Sequence, residues 1–179
     1  DIFHTDYHPL RAEGLSATGP GGEPVALQNV ATGRFRTTFD LELSRPGTYK
    51  VFAASHGLSA SWKDNGERRF WPPRGEPFSA EGFARNVPKQ ADQLAVTQFS
   101  RRNETFVTAG APSDTALTPT GVGLELVPIT HPNDLFAGES AQFRLLIDGE
   151  PAAGAEITVL PAGMRYRDNQ NAITTTSGP

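Results

Sequence analysis

Residues 39–53 read FDLELSRPGTYKVFA, and this stretch decides the fold class. Extended back to Arg34, it places Phe35, Thr37, Phe39, Leu41 and Leu43 on one face at period two, with charges mainly on the other. That alternation predicts a half-buried strand. Arg45-Pro46-Gly47 then makes a turn, because Pro presets φ and Gly tolerates the left-handed region. Tyr49, Val51 and Ala53 resume the alternation, so the block reads as a β-hairpin of the kind common in immunoglobulin-like sandwiches.

Outward from this block the signals stay β. Gly19-Pro20-Gly21-Gly22 separates a short strand near 11–17 from one near 24–30. Asp64-Asn65-Gly66 is a tight-turn signal between two short strands. Residues 79–87 read as one or two helical turns, and 93–109 as a long polar strand or a strand pair. The 179 residues include 18 glycines and 15 prolines, a punctuation that suits many short strands better than a few long helices.

Residues 111–121, APSDTALTPTG, are rich in Pro, Thr and Ala and mark the expected domain boundary. The expected organisation is an N-terminal sandwich over 1–112 and a partial one over 119–179. In the second, Leu124 and Leu126 share a face, and so do Ala141, Phe143, Leu145 and Ile147. Asp148-Gly149-Glu150-Pro151 turns the chain, and Ala155, Ile157 and Val159 return. Asp114, Glu125, Asp134 and Glu139 read as turn and solvated-face residues. The fold class is therefore all-β, two immunoglobulin-like or β-sandwich domains, with the second truncated. So few strands would leave an apolar face and a sheet edge uncovered, and such an edge offers an oligomer contact.

Bulk chemistry excludes several functions. With a net charge of −4 there is no basic field to hold a phosphate backbone, so nucleic acid is not an expected partner. The chain has no cysteine, which removes disulfides, thiol catalysis and thiolate metal sites. No run of ~18 apolar residues is present to span a membrane as a helix. The nucleophile elbow, the H-E-x-x-H zinc motif, the P-loop and the glycine-rich dinucleotide turn are all missing, so the expectation is a protein that binds and does not catalyse.

Two constellations could carry binding. His4, Asp6 and His8 are the densest donor cluster. On a strand they share one face, with neighbouring donors ~7 Å apart and the outer two ~13 Å apart. A zinc–nitrogen bond is only ~2.1 Å. His4 and His8 therefore cannot share an ion without a bend, and Pro9 disfavours the helical alternative at His8. A pair, His4 with Asp6 or Asp6 with His8, would need completion from elsewhere. The competing reading is an ordinary polar chain end. His131, in Thr-His-Pro-Asn-Asp, is either a further metal ligand or interdomain donor, or a histidine that fixes a turn. Imidazole with carboxylate suits Ni, Co or Zn. Trp62, Phe70, Trp71 and Arg74 form the second constellation, beside Lys63, Arg68 and Arg69. It is either a platform for a membrane partner or glycan, or a hairpin that packs its aromatics onto the sandwich.

Residues 128–139 (PITHPNDLFAGE), 146–155 (LIDGEPAAGA) and Arg165-Tyr166-Arg167 resemble the family described as the periplasmic component of a cobalt/nickel ABC transport system. So does the preceding ETFVTAGAPSDTALTPTGVGLEL, and LSRPGTYKV matches more generally. The resemblance implies a β-sandwich protein of the periplasm, its signal peptide removed, linked to divalent metal uptake and to membrane transporter components. Members of that family also carry a leading His with a further strand, and strands beyond the equivalent of Gly178-Pro179. This leads to the expectation that the present sequence is a fragment.

Overall fold

A computed structural model describes residues 9–73, 76–163 and 168–179. The protein is mostly β, with several sheets in a sandwich-like arrangement. It divides into two compact units. One spans the chain up to Ala53 and again from Glu104, and the other is Ala54–Asn103. The 111–121 segment lies inside the first unit, where Ser113 and Thr118 hydrogen-bond to Thr48 and Lys50. A stretch with linker composition is thus held by specific bonds, and the division falls elsewhere.

In the first unit, β1 (Leu15–Thr18) pairs antiparallel with β2 (Pro24–Val25) across the Gly-Pro-Gly-Gly turn, and with the first part of β5 (Gly47–Asp64). A separate ribbon joins β3 (Leu27–Thr32) to β4 (Thr37–Leu41). The hairpin expected around Arg45-Pro46-Gly47 therefore does not form. β4 pairs with β3 and not with β5, and residues 42–46 carry the chain from one sheet to the other. Tyr49 explains the corner. Its hydroxyl donates to the Arg45 carbonyl and accepts from the Arg45 amide, both at 2.9 Å, and its side chain is 1% exposed. This is the tyrosine corner of Greek-key sandwiches, which fixes a crossing between sheets. Outside the corner, Arg45 pairs with Glu23. The hydrogen bond from that guanidinium holds the Glu23 carboxyl below the usual carboxylate range, and Glu23 raises Arg45 in return.

The start of β5 is buried on both faces, Gly47 through Val51. Tyr49 and Val51 occupy one face. Thr48 and Lys50 occupy the other, which the 113–131 segment covers. Period two shows which residues share a face but cannot show that both faces are covered.

β8 (Leu124–Pro128) and β9 (Phe143–Ile147) pair antiparallel, and β9 turns through Asp148-Gly149 into β10 (Glu150–Pro151). Here the expected burial is inverted. Glu125 (4% exposed), Val127 and Leu146 face inward, whereas Leu126, Phe143 and Ile147 are 38–48% exposed. Glu125 is not a solvated-face residue. Its carboxylate accepts from the Thr120 amide at 2.8 Å, the Thr120 hydroxyl at 3.0 Å and the Gly121 amide at 2.7 Å, which satisfies a buried charge and clamps the preceding loop. Residues 155–159 do not return to β9. β11 (Glu156–Val159) pairs with β12 (Ile173–Thr176) in a ribbon of its own.

In the second unit, the distal part of β5 turns back through Asn65-Gly66 into β6 (Glu67–Trp71), and the long β7 (Asp92–Ala109) pairs with β5. Asn65 and Gly66 sit at φ of 51° and 86°, the left-handed pair that a two-residue hairpin requires. The helix expected near 79–87 is α1 (Ala80–Asn86). Ser79 caps it by accepting from the Gly82 amide at 3.0 Å. Ala60, Trp71 and Val87 form the core of this unit, with Trp62, Phe78, Phe83 and Leu94 packed on it. The Trp71 ring meets Phe78 and Phe83 edge-on, with centroids 5.9 and 5.5 Å away. A β-carbon on Gly82 would lie 2.9 Å from that ring, so only glycine permits this approach of α1.

Candidate functional site

The two-residue turn fixes the hairpin register, and the register sorts its side chains. Asp64 opposes Glu67, Lys63 opposes Arg68, Trp62 opposes Arg69, Ser61 opposes Phe70 and Ala60 opposes Trp71. One face therefore carries Ala60, Trp62, Asp64, Glu67, Arg69 and Trp71. The other carries Ser61, Lys63, Arg68 and Phe70. Trp71, at 8% exposure, belongs to the core, and Trp62 is half-buried against it. Phe70 is 67% exposed.

Beside Phe70 lies a cleft of about 270 Å³. Its walls include Ser59, Ser61 and Thr97, with Trp71 and Ala95 as apolar lining. Apolar surface edged by hydroxyls can seat a side chain or a short segment of a partner. The charges are also divided. On the Trp62 face, Arg69 pairs with Asp64 (3.6 Å) and Glu67 (3.3 Å). On the Phe70 face, Lys63 and Arg68 stand across from each other. Arg68 donates to the Ser61 hydroxyl at 3.3 Å, and neither has a carboxylate partner among the described residues.

His131 sits in the first unit, before the short 3₁₀ turn Pro132–Asp134. Its Nδ1 accepts from the Asn133 amide at 3.0 Å, which leaves Nε2 as the protonated nitrogen of a neutral ring. Nε2 donates to the Thr48 hydroxyl at 3.1 Å. That oxygen also accepts from the Ser113 amide at 3.1 Å, and so donates to Thr108 at 3.0 Å. Thr108 in turn donates to the Asn133 side-chain carbonyl at 2.9 Å. The donor and acceptor roles along these five bonds are mutually consistent. Both ring nitrogens are engaged in it, so His131 has no lone pair left for a metal unless the network opens. Its geometry is that of a histidine fixing a turn.

His4, Asp6, His8 and Arg74 lie outside the described residues. His56 is an exposed β5 residue in the second unit. Among the described residues, no three His, Cys, Asp or Glu side chains converge. The structure thus gathers Trp62, Phe70 and Trp71 in one hairpin but turns only Phe70 outward. Ser59, Ser61, Ala95 and Thr97 were not singled out from the sequence, since small and polar strand residues give no signal before their partners are known. The opposition of Lys63 and Arg68 was within reach, because a two-residue Asn-Gly turn implies it.

The model of the family described as Domain of unknown function (DUF4198) matches residues 1–178. The chain belongs to that family. No curated protein and no solved structure matches it.

Proposed function

We propose that this DUF4198 chain is an interaction module that holds a partner protein on the Phe70 face of the β5–β6 hairpin. One observation carries the reading. Phe70 is a large aromatic at 67% exposure on a regular strand, beside a cleft, while both neighbouring tryptophans are drawn into the core. Aromatic side chains and arginine are enriched in protein interfaces, and a few such residues dominate their energetics. Their placement on a strand backed by a packed aromatic core gives the surface a rigid support. A flat stacking platform of tryptophan, which a glycan would favour, is not what the hairpin presents. Metal-linked uptake gains no support from His131, whose nitrogens serve Thr48 and Asn133.

A photo-crosslinking aromatic in place of Phe70, introduced in the cells that make the protein, tests this. A discrete adduct from position 70, missing when the same group replaces the exposed Val122 of the other unit, supports the module. Identical products from both positions, or none from position 70, reject it.

A further inference from the structure

The hairpin carries a charge arrangement that specifies the partner. Asp64 and Glu67 flank a two-residue turn, so they form a hydrogen-bonded pair, and pairs alternate along an antiparallel ladder. Lys63 and Arg68 are therefore a non-hydrogen-bonded pair, with Cα atoms about 4.5 Å apart and side chains on the same face. Like charges placed directly opposite destabilise a sheet. The hairpin keeps this pair although both of its own acids lie on the other face with Arg69. The local excess of positive charge stands against a chain of net charge −4.

The backbone adds a second specification. β6 ends the strand order of its sheet, with no strand beyond it among the described residues. At non-hydrogen-bonded positions of the β5–β6 ladder, the backbone amide and carbonyl point away from β5. Arg68 and Phe70 thus offer two donors and two acceptors along the open edge. Their side chains share one face, two residues apart.

Resting on the interaction-module reading, we propose that the occupant is an extended acidic segment of a partner protein, added as a strand to the outer edge of β6. An acidic side chain of that segment lies beside Arg68, with Lys63 behind it, and relieves the like-charge opposition. An apolar side chain two residues along lies against Phe70. Edge hydrogen bonds provide affinity, and the alternate side chains provide selectivity. Arg68 and Lys63 also guard the edge, because a second copy of the same basic strand would be repelled.

The test uses the full chain and synthetic peptides of alternating valine and aspartate, with counterparts in which serine or lysine replaces the aspartate. The acidic peptide shifts the amide resonances of Arg68 and Phe70, slows exchange of those two amides, and binds less tightly as salt rises. Replacing both Lys63 and Arg68 by serine weakens it by about tenfold, the scale of two exposed charge pairs, without lowering the melting temperature. If the serine peptide binds as well as the acidic one, the acidic occupant is wrong while the Phe70 surface stands. Binding of phosphatidylglycerol vesicles in place of the peptide also overturns it. Failure of every peptide overturns the occupant whatever position 70 crosslinks. If position 70 also yields no adduct, the module reading falls with it.

Discussion

Thr48 offers the sharpest energetic test of the first unit. Its side chain is fully buried, and its hydroxyl accepts from the Ser113 amide and His131 Nε2 while donating to Thr108. Thr48→Val keeps the volume and creates no cavity, so its effect isolates the hydroxyl. The part-buried Ser113 amide loses its acceptor, which costs about 1–3 kcal/mol, and two further bonds add about 0.5 kcal/mol each. A total near 3 kcal/mol corresponds to a fall of about 9 °C in melting temperature for a chain of this length. Thr48→Ser keeps the hydroxyl and loses only a methyl, at about 1 kcal/mol. Both tryptophans lie in the Ala54–Asn103 unit, so their fluorescence reports on the wrong part of the chain. Backbone circular dichroism and amide exchange at Ser113 are the appropriate readouts. If Thr48→Val costs no more than Thr48→Ser, the hydrogen-bond network does not hold the 113–131 segment to β5.

Other consequences follow from the same structure. Trp71→Ala removes the centre of the second unit's core at about 3–5 kcal/mol, read as lost amide-exchange protection in the 60–71 hairpin. Phe70→Ala, on the exposed face, stays within about 0.5 kcal/mol of the wild type. Lys63→Glu converts the opposed like charges into an attractive pair and raises hairpin stability by about 0.5 kcal/mol, measurable by amide exchange in 60–71. Because Arg45 lowers the Glu23 pKa, the support from this pair is present above the ordinary glutamate range and lost as pH falls through the lowered value. Arg45→Gln should move the Glu23 titration, followed by carboxyl-carbon NMR, upward toward the ordinary range, while the backbone amides of Gly21 and Glu23 keep part of the lowering. No change in that titration would show that the contact does not persist in solution.

Much of the fold was legible because its signals are local. Asn65-Gly66 and Asp148-Gly149 mark turns whose residues sit in the left-handed region, and 79–87 reads as a short helical stretch. What escaped is non-local. The strand ending at Leu41 and the strand from Gly47 look like hairpin partners, since adjacency in sequence is the usual guide. The Tyr49–Arg45 bonds send them into different sheets. Glu125 looks solvated until the amides of Thr120 and Gly121 are brought to it. Period two put the Leu124 and Leu126 face inward, and the clamped carboxylate shows that the opposite face of β8 is the covered one. For the candidate site, the sequence marks the hairpin but not its division into faces. Trp62, Phe70 and Trp71 read alike in the sequence, and the structure turns both tryptophans inward and Phe70 outward.

The measurement closest to the central claim is a quantitative comparison of proteins retained by the wild-type chain and by Phe70→Ser, purified alike from the cells that make them. Equal melting temperatures would show that both are folded. The account predicts that a specific companion of the wild type is lost from Phe70→Ser and retained by Val122→Ser. The same companions, in the same amounts, on all three would contradict it.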